Sequence, residues 1–406
     1  MAKNEGVDRI VLAYSGGLDT SVAIRWLMEE YTAEIVTLTM DVGQRSVDLD
    51  GAREKALKLG AVEAICEDVR EEFYSDYVSP AIRANALYMG TYPISTALSR
   101  PLIAEHLVEV AEKTGADAVA HGCTGKGNDQ VRIDITVRAL NPDLKIIAPA
   151  REWDFGRSDE IEYAAREGIE IPVDVDSPYS TDENLWGRSI ECGVLEEPMN
   201  EPPEDIYALT TDPTKGPDGP EYVTLTFDRG LPVAIDGVPR DGLTLVEELA
   251  LIAGKHGVGR IDHMEDRVVG LKSREIYECP AATIVLAAHA DLEKYVFTRR
   301  EREFKGMADR EWTNLVYRGL WAEPLRDTVQ RFIGELNEPV TGDVRLKLFK
   351  GSATVVGRSS ENALYDIAMA TYEKERDIFA HDSAVGFIDL WGLEARMASR
   401  SRSPRD

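Results

Sequence analysis

Directly after the apolar run Arg9–Tyr14 the chain reads Ser15-Gly16-Gly17-Leu18-Asp19-Thr20-Ser21, the stretch best suited to holding a phosphate. Two adjacent glycines let the backbone turn sharply and approach an anion with no Cβ in the way. Ser15, Thr20 and Ser21 add hydroxyl donors, and a helix starting here adds the partial positive charge of its N-terminus. The string lacks the Gly-Lys-Ser/Thr ending of a Walker A loop and the G-x-G-x-x-G of a dinucleotide site. A Gly-Gly pair alone fits any strand–turn–helix junction. The complete string points to polyphosphate chemistry.

A second dense stretch is His121-Gly122-Cys123-Thr124-Gly125-Lys126-Gly127-Asn128-Asp129-Gln130-Val131-Arg132. If a helix begins at Asn128 and Asp129, Arg132 shares their face, because residues three and four apart are helical neighbours. Other catalytic patterns are missing. The six histidines form no H-x-H or H-x-x-x-H set, and no G-x-S-x-G elbow occurs. Cys66, Cys123, Cys192 and Cys279 lie far apart, which argues against zinc or a disulfide framework and for a reducing, cytoplasmic setting.

The elements that must position these residues alternate in type. Arg9–Tyr14, Glu34–Met40, Ala61–Cys66, Ala116–Ala120 and Lys145–Ala148 read as strands. Ser21–Glu30, Ala52–Leu59, Glu71–Ala86 and Leu102–Lys113 read as helices. Buried strands alternating with amphipathic helices predict an α/β fold, a Rossmann-like parallel sheet covered on both faces, over 1–172. A second, α+β domain is expected over 173–380. It holds strands Tyr222–Phe227 and Pro232–Ile235, a helix Leu245–Ala253, a long helical stretch from Ala281 into the 330s, and a hairpin around Gly351. A helix Ala384–Met397 is expected within a terminal arm, 381–406.

With 406 residues, 43% of them hydrophobic, the chain has ample material for a core. No apolar run approaches the roughly 18 residues of a membrane span, and the polar start Met1–Asp8 reads as no signal peptide. A net charge of −27 opposes nucleic-acid binding, and no basic stripe offsets it.

Ser15-Gly16-Gly17-x-Asp19-x-Ser21 resembles the pyrophosphate loop of the ATP pyrophosphatases, which cleave ATP to AMP and pyrophosphate. Four further stretches resemble the argininosuccinate synthase family. They are Tyr92…Thr96-Ala97-Leu98-Ser99-Arg100-Pro101, the His121–Arg132 run, Ser180-x-Asp182-Glu183-Asn184-Leu185…Ser189, and Glu265-Asp266-Arg267-x-x-Gly270-x-Lys272-Ser273-Arg274-x-x-Tyr277-Glu278.

The resemblance implies ATP contacts at Ala13, Tyr14, Ser15, Gly16, Gly17, Leu18, Asp19, Thr20, Ser21, Met40 and Gly122. It implies an aspartate site at Thr124, Asn128 and Asp129. Its citrulline site falls on Tyr92, Thr96, Asn128, Arg132, Ser180, Ser189, Glu265 and Tyr277. Both amino acids are zwitterions, so cations, anions and directed hydroxyls are the right residue types. Asp129 and Lys126 are the candidate catalytic groups, beside the expected amine and the expected phosphates. Mg²⁺ is expected on phosphate oxygens and water, with no protein metal cage.

The implied assembly is a homotetramer built through the terminal helix. Two positions depart from the family pattern: Ala97 where many relatives carry Ser, and Cys123 where a small residue is usual. A tRNA-thiolating enzyme and a non-catalytic nucleotide sensor are the rival readings. The acidic charge and missing cysteine clusters weigh against the first, and the polar residues beyond 120 against the second.

Overall fold

The computed structural model describes residues 6–45, 47–153, 155–170, 178–373 and 378–402. Strands β1 (Arg9–Ala13), β2 (Glu34–Asp41), β3 (Glu63–Asp68), β4 (Ala118–Ala120) and β5 (Lys145–Ile147) make one parallel sheet, ordered β3-β2-β1-β4-β5. Ile10, Val11 and Leu12 have no exposed surface. Ile10 and Leu12 share a buried cluster with Val22 and Leu27 of helix Leu18–Tyr31. Val11 joins Leu102 and Leu107 of helix Ser95–Thr114 in another. Burial on both faces is why β1 reads as a continuous apolar run.

Beyond the parallel sheet, β6 (Ser180–Asn184), β7 (Gly187–Glu191), β11 (Arg260–Asp266) and β12 (Lys272–Glu278) pair antiparallel in the order β11-β12-β7-β6. A third sheet runs β10-β9-β8-β13-β14, from β8 (Glu221–Asp228), β9 (Leu231–Ile235), β10 (Val238–Pro239), β13 (Gly342–Phe349) and β14 (Ser352–Ser359). In β8 and β13, Val223, Leu225, Phe227, Val344, Leu346 and Leu348 alternate inward and join a cluster with Ile284 and Ala288 of helix Pro280–Val296.

Several expected elements change on folding. The helix expected over Glu71–Ala86 is a short α-turn Arg70–Glu72, a π-helical turn Phe73–Val78 and a helix Ser79–Arg83. Pro80 sits at that last join, and its missing N–H cannot continue the hydrogen-bond ladder. Helix Ser95–Thr114 begins well before the expected Leu102 and carries Pro101 inside it. The stretch after Ala281 is three helices, Pro280–Val296, Arg299–Tyr317 and Pro324–Leu336. Thr298 caps the second through a reciprocal bond with Glu301, and Gly319, at φ +76°, helps end it.

The chain divides into two compact units, one ending at Asn362 and one beginning at Ala363. In the second, the single helix expected over Ala384–Met397 is a pair, Asp382–Trp391 and Leu393–Arg402, with Gly392 between them. Glycine is a poor helix former, and the break falls on it.

Glu278, fully buried in β12, holds the loop after residue 206 against the antiparallel sheet. It accepts the backbone N–H groups of Ala208, Leu209 and Thr210 at 2.8–3.1 Å and the Thr210 hydroxyl at 2.7 Å. Arg188 of β7 donates to it at 3.0 Å. Replacing Glu278 with Gln removes the charge Arg188 pairs with and turns an amide NH₂ toward donors. The expected cost is about 3–5 kcal/mol, read as a lowered urea midpoint in chemical denaturation.

Candidate active site

At β1 the strand order reverses, with β2 on one side and β4 on the other, and ligands of open parallel sheets bind at such a point. The loop after β1 opens there on a cleft of about 560 Å³. Its walls carry Ala13, Tyr14, Ser15, Gly17, Leu18, Asp19 and Thr20, with Met40 from the end of β2 and Gly122 from beyond β4. Gly16 takes φ +77°, a conformation that costs other residues, and Gly17 is the extended N-cap of helix Leu18–Tyr31. Ser15 Oγ lies 3.1 Å from Thr20 Oγ1 and accepts the Gly17 N–H at 3.3 Å, so side chains hold the loop open. Ser21 is buried behind it, 3.2 Å from the Tyr14 hydroxyl. The Gly16 carbonyl accepts from Lys55 Nζ at 2.8 Å, which sets a cation against the loop.

Deeper in the cleft, Arg100 Nη2 lies 2.9 Å from Asp129 and 2.7 Å from Asp182 of β6. Asp129 opens helix Asp129–Leu140, and its other oxygen accepts from Arg132 Nη1 at 2.7 Å. Burial works to raise the Asp129 pKa, but the two guanidinium groups outweigh it and hold the carboxyl below its ordinary range. Asp182 goes the other way. Burial is its dominant influence, neighbouring Asp129 adds to it, and its pKa is raised despite Arg100.

Behind Arg132 is a buried aromatic cage around Glu265, which is 3% exposed. Tyr277 donates its hydroxyl to Glu265 at 2.5 Å, Tyr317 donates to the other oxygen, and Asn128 Nδ2 donates at 3.2 Å. Tyr92 stacks on Tyr277 with ring centroids 3.9 Å apart, and Tyr88 stacks on Tyr317 at 3.4 Å. Burial first, then Tyr92 and Glu265, push the Tyr277 phenol well above its ordinary value, so it remains a donor. Among the described residues no cation forms an ion pair with Glu265. Glu265 is therefore a buried carboxylate met by hydroxyl and amide donors, suited to pair with a ligand that brings its own positive charge.

The family model described as Arginosuccinate synthase N-terminal HUP domain matches residues 9–170, and that of the Arginosuccinate synthase C-terminal domain matches 179–398. The chain belongs to the argininosuccinate synthase family. Among its relatives, the argininosuccinate synthase of Oceanobacillus iheyensis is 54% identical over 98% of this chain and 95% of its own length. That of Dictyoglomus turgidum is 55% identical over 95% and 96%, and that of Streptococcus gordonii 51% over 98% and 99%. Family membership sets aside both the tRNA-thiolating and the sensor readings and places the chain among the carbon–nitrogen ligases.

Of the residues the family resemblance singles out, the structure brings together two sets. The loop residues, Met40, Gly122 and Ser180 meet at the cleft, and Tyr92, Asn128, Arg132, Glu265 and Tyr277 meet in the cage. Thr96 and Ser189 approach to 3.5 Å across helix and strand. Gly16 and Ser21 support the loop from outside the cleft wall. Thr124 and Lys126 are exposed on the loop before Asn128 and line neither set.

Arg100 and Asp182 lie within the family-like stretches, and their opposite charges are the one local signal of a pairing. Lys55 and Tyr317 lie outside every motif, and nothing in their local sequence marks them.

Gly319 packs against the same helix start. A Cβ there would fall 2.8 Å from the Arg132 Cα, in a backbone conformation that disfavours side chains. Gly319→Ala is expected to destabilise the protein by about 1–3 kcal/mol, measured by thermal denaturation.

Proposed function

We propose that the protein joins citrulline to aspartate in arginine biosynthesis, cleaving ATP to AMP and pyrophosphate. The ureido oxygen of citrulline attacks the α-phosphorus of ATP, and pyrophosphate leaves with its bonding electrons. The aspartate amine then attacks the activated ureido carbon and expels AMP, forming argininosuccinate. The single observation that carries this reading is the ion-pair chain Arg100–Asp129–Arg132, which joins the phosphate-loop cleft to the Glu265 cage. Nucleotide and amino acid sit at adjoining ends of that chain.

In this reading Ala13–Ser21, Met40 and Gly122 hold ATP, with backbone N–H groups at the start of helix Leu18–Tyr31 facing the phosphates. Glu265 takes the α-ammonium of citrulline, and Arg132 its carboxylate, through N–H donors beyond those committed to Asp129 and the Tyr317 carbonyl. Tyr92, Thr96, Asn128, Ser180, Ser189 and Tyr277 supply the remaining polar contacts. Thr124, Asn128 and Asp129 receive aspartate.

Asp129, held ionised by two guanidinium groups, is an anchor for the aspartate amine and a poor proton acceptor at neutral pH. Lys126 is exposed and reaches the phosphates by a movement of its loop. The chain's own contribution is positioning, where effective molarities are large, and electrostatic stabilisation at phosphorus. Mg²⁺ would be held mainly by phosphate oxygens and water, with Asp19 on the cleft wall as the carboxylate that could reach it, and would offset phosphate charge there.

We further propose a cytoplasmic homotetramer. All four cysteines are free, and among the described residues no helix is long and apolar enough to cross a membrane. Phe387, Ile388, Leu390, Trp391 and Met397 of the terminal helix pair are each more than half exposed, more apolar surface than a solvated end requires.

Pyrophosphate release is expected only when citrulline is present; equal release without it would sink the reading. Arg132→Leu removes a buried charge-assisted contact of about 1.5–3 kcal/mol, so citrulline affinity should fall about tenfold or more while ATP affinity holds in calorimetric titration. Truncation before residue 380 should reduce the mass seen by light scattering below that of a tetramer.

A further inference from the structure

Tyr317 is the last residue of helix Arg299–Tyr317 and belongs to no recognised motif of the chain. Its surroundings are nonetheless those of a hub. The hydroxyl donates to Glu265 and accepts from Asn128 Nδ2 at 2.9 Å. Its backbone carbonyl accepts from Arg132 Nε at 2.9 Å, and its ring lies 4.8 Å from the Arg132 guanidinium. Stacking on Tyr88 at 3.4 Å, almost parallel, fixes the plane of the ring. Tyr88 is itself anchored by a 2.8 Å bond from its hydroxyl to the Asp266 carbonyl.

We infer that Tyr317 is a positioning residue that sets the mutual geometry of Glu265, Asn128 and Arg132, and so determines how tightly the cage holds an α-amino acid. The inference rests on the reading that this cage takes citrulline. Three groups from two elements must present an anion, an amide and a cation at fixed separations. Asn128 and Arg132 share one helix start, whereas Glu265 comes from β11. Within the cage Tyr317 touches all three. Its hydroxyl stands between the Glu265 oxygen and the Asn128 amide, passing a hydrogen bond from one to the other. Without it the two would still meet at 3.2 Å, but the carboxylate would lose a donor and turn. Burial followed by the charge of Glu265 pushes the phenol far up, so at working pH the hydroxyl keeps its proton and the direction of its bond.

The test is Tyr317→Phe, which keeps the stacked ring and removes only the hydroxyl. Steady-state pyrophosphate release should show the citrulline KM raised about tenfold or more, the loss of one hydrogen bond to a charged group. The ATP KM and the thermal midpoint should stay near wild type. A double-substitution cycle with Glu265→Gln should give less than additive losses, because one residue acts through the other. An unchanged citrulline KM, additive losses, or an unfolded variant would each overturn the inference, as would parallel losses for all three substrates with a lowered midpoint. Wild type is assayed alongside. Pyrophosphate release that ignores citrulline there would remove the functional reading itself, and is distinguishable from a failure of Tyr317 alone.

Discussion

The carboxylate of Asp129 lies between two guanidinium groups, and both halves of the site hang on that arrangement. Arg100 comes from helix Ser95–Thr114, Asp129 and Arg132 from helix Asp129–Leu140, and Asp182 from β6. Asp129 and Asp182 keep part of their surface in water, but Arg132 is buried, and removing Asp129 would leave its guanidinium without that partner at a cost of up to about 3–5 kcal/mol. The group therefore acts as a geometric specification. If any of these elements shifts, a buried charge loses its partner, so cleft and cage are held in register.

Charge is distributed with the same economy elsewhere. A chain carrying −27 must still accommodate polyanionic phosphates. The loop after β1 offers backbone N–H groups at a helix start, with Lys55 against the Gly16 carbonyl, and such groups can meet an anion without a basic surface. Glu265 is the complementary case: a buried anion given hydroxyl and amide donors and no paired cation among the described residues. Those donors fix the direction of both its oxygens.

Much of the parallel-sheet half was legible because burial on both faces writes itself into composition. Ile10–Ala13 is a continuous apolar run, Glu34–Asp41 carries Ile35, Val36, Leu38 and Met40 around two buried threonines, and the glycine pair marks the turn between strand and helix. The antiparallel half was harder. Ser180–Asn184 and Gly187–Glu191 are polar, partly exposed strands, so they show neither an apolar run nor a clean alternation. The π-turn Phe73–Val78 was equally invisible, since a helix that widens before Pro80 has nearly the same side-chain period as one that does not.

The sequence by itself determined the reaction class, because a phosphate loop needs glycines and hydroxyls that are contiguous in the chain. It also determined that Asn128, Asp129 and Arg132 would share one face, since they are helical neighbours wherever that helix is placed. Only the tertiary structure decided which distant residues complete them. Lys55 reaches the loop from another helix, Arg100 reaches from its helix to Asp182 of β6, and Tyr317 meets Glu265 at the end of a helix in a different part of the chain. Those partnerships depend on distance in space, and a lysine or tyrosine on a helix surface looks the same in sequence whether it faces water or a buried carboxylate.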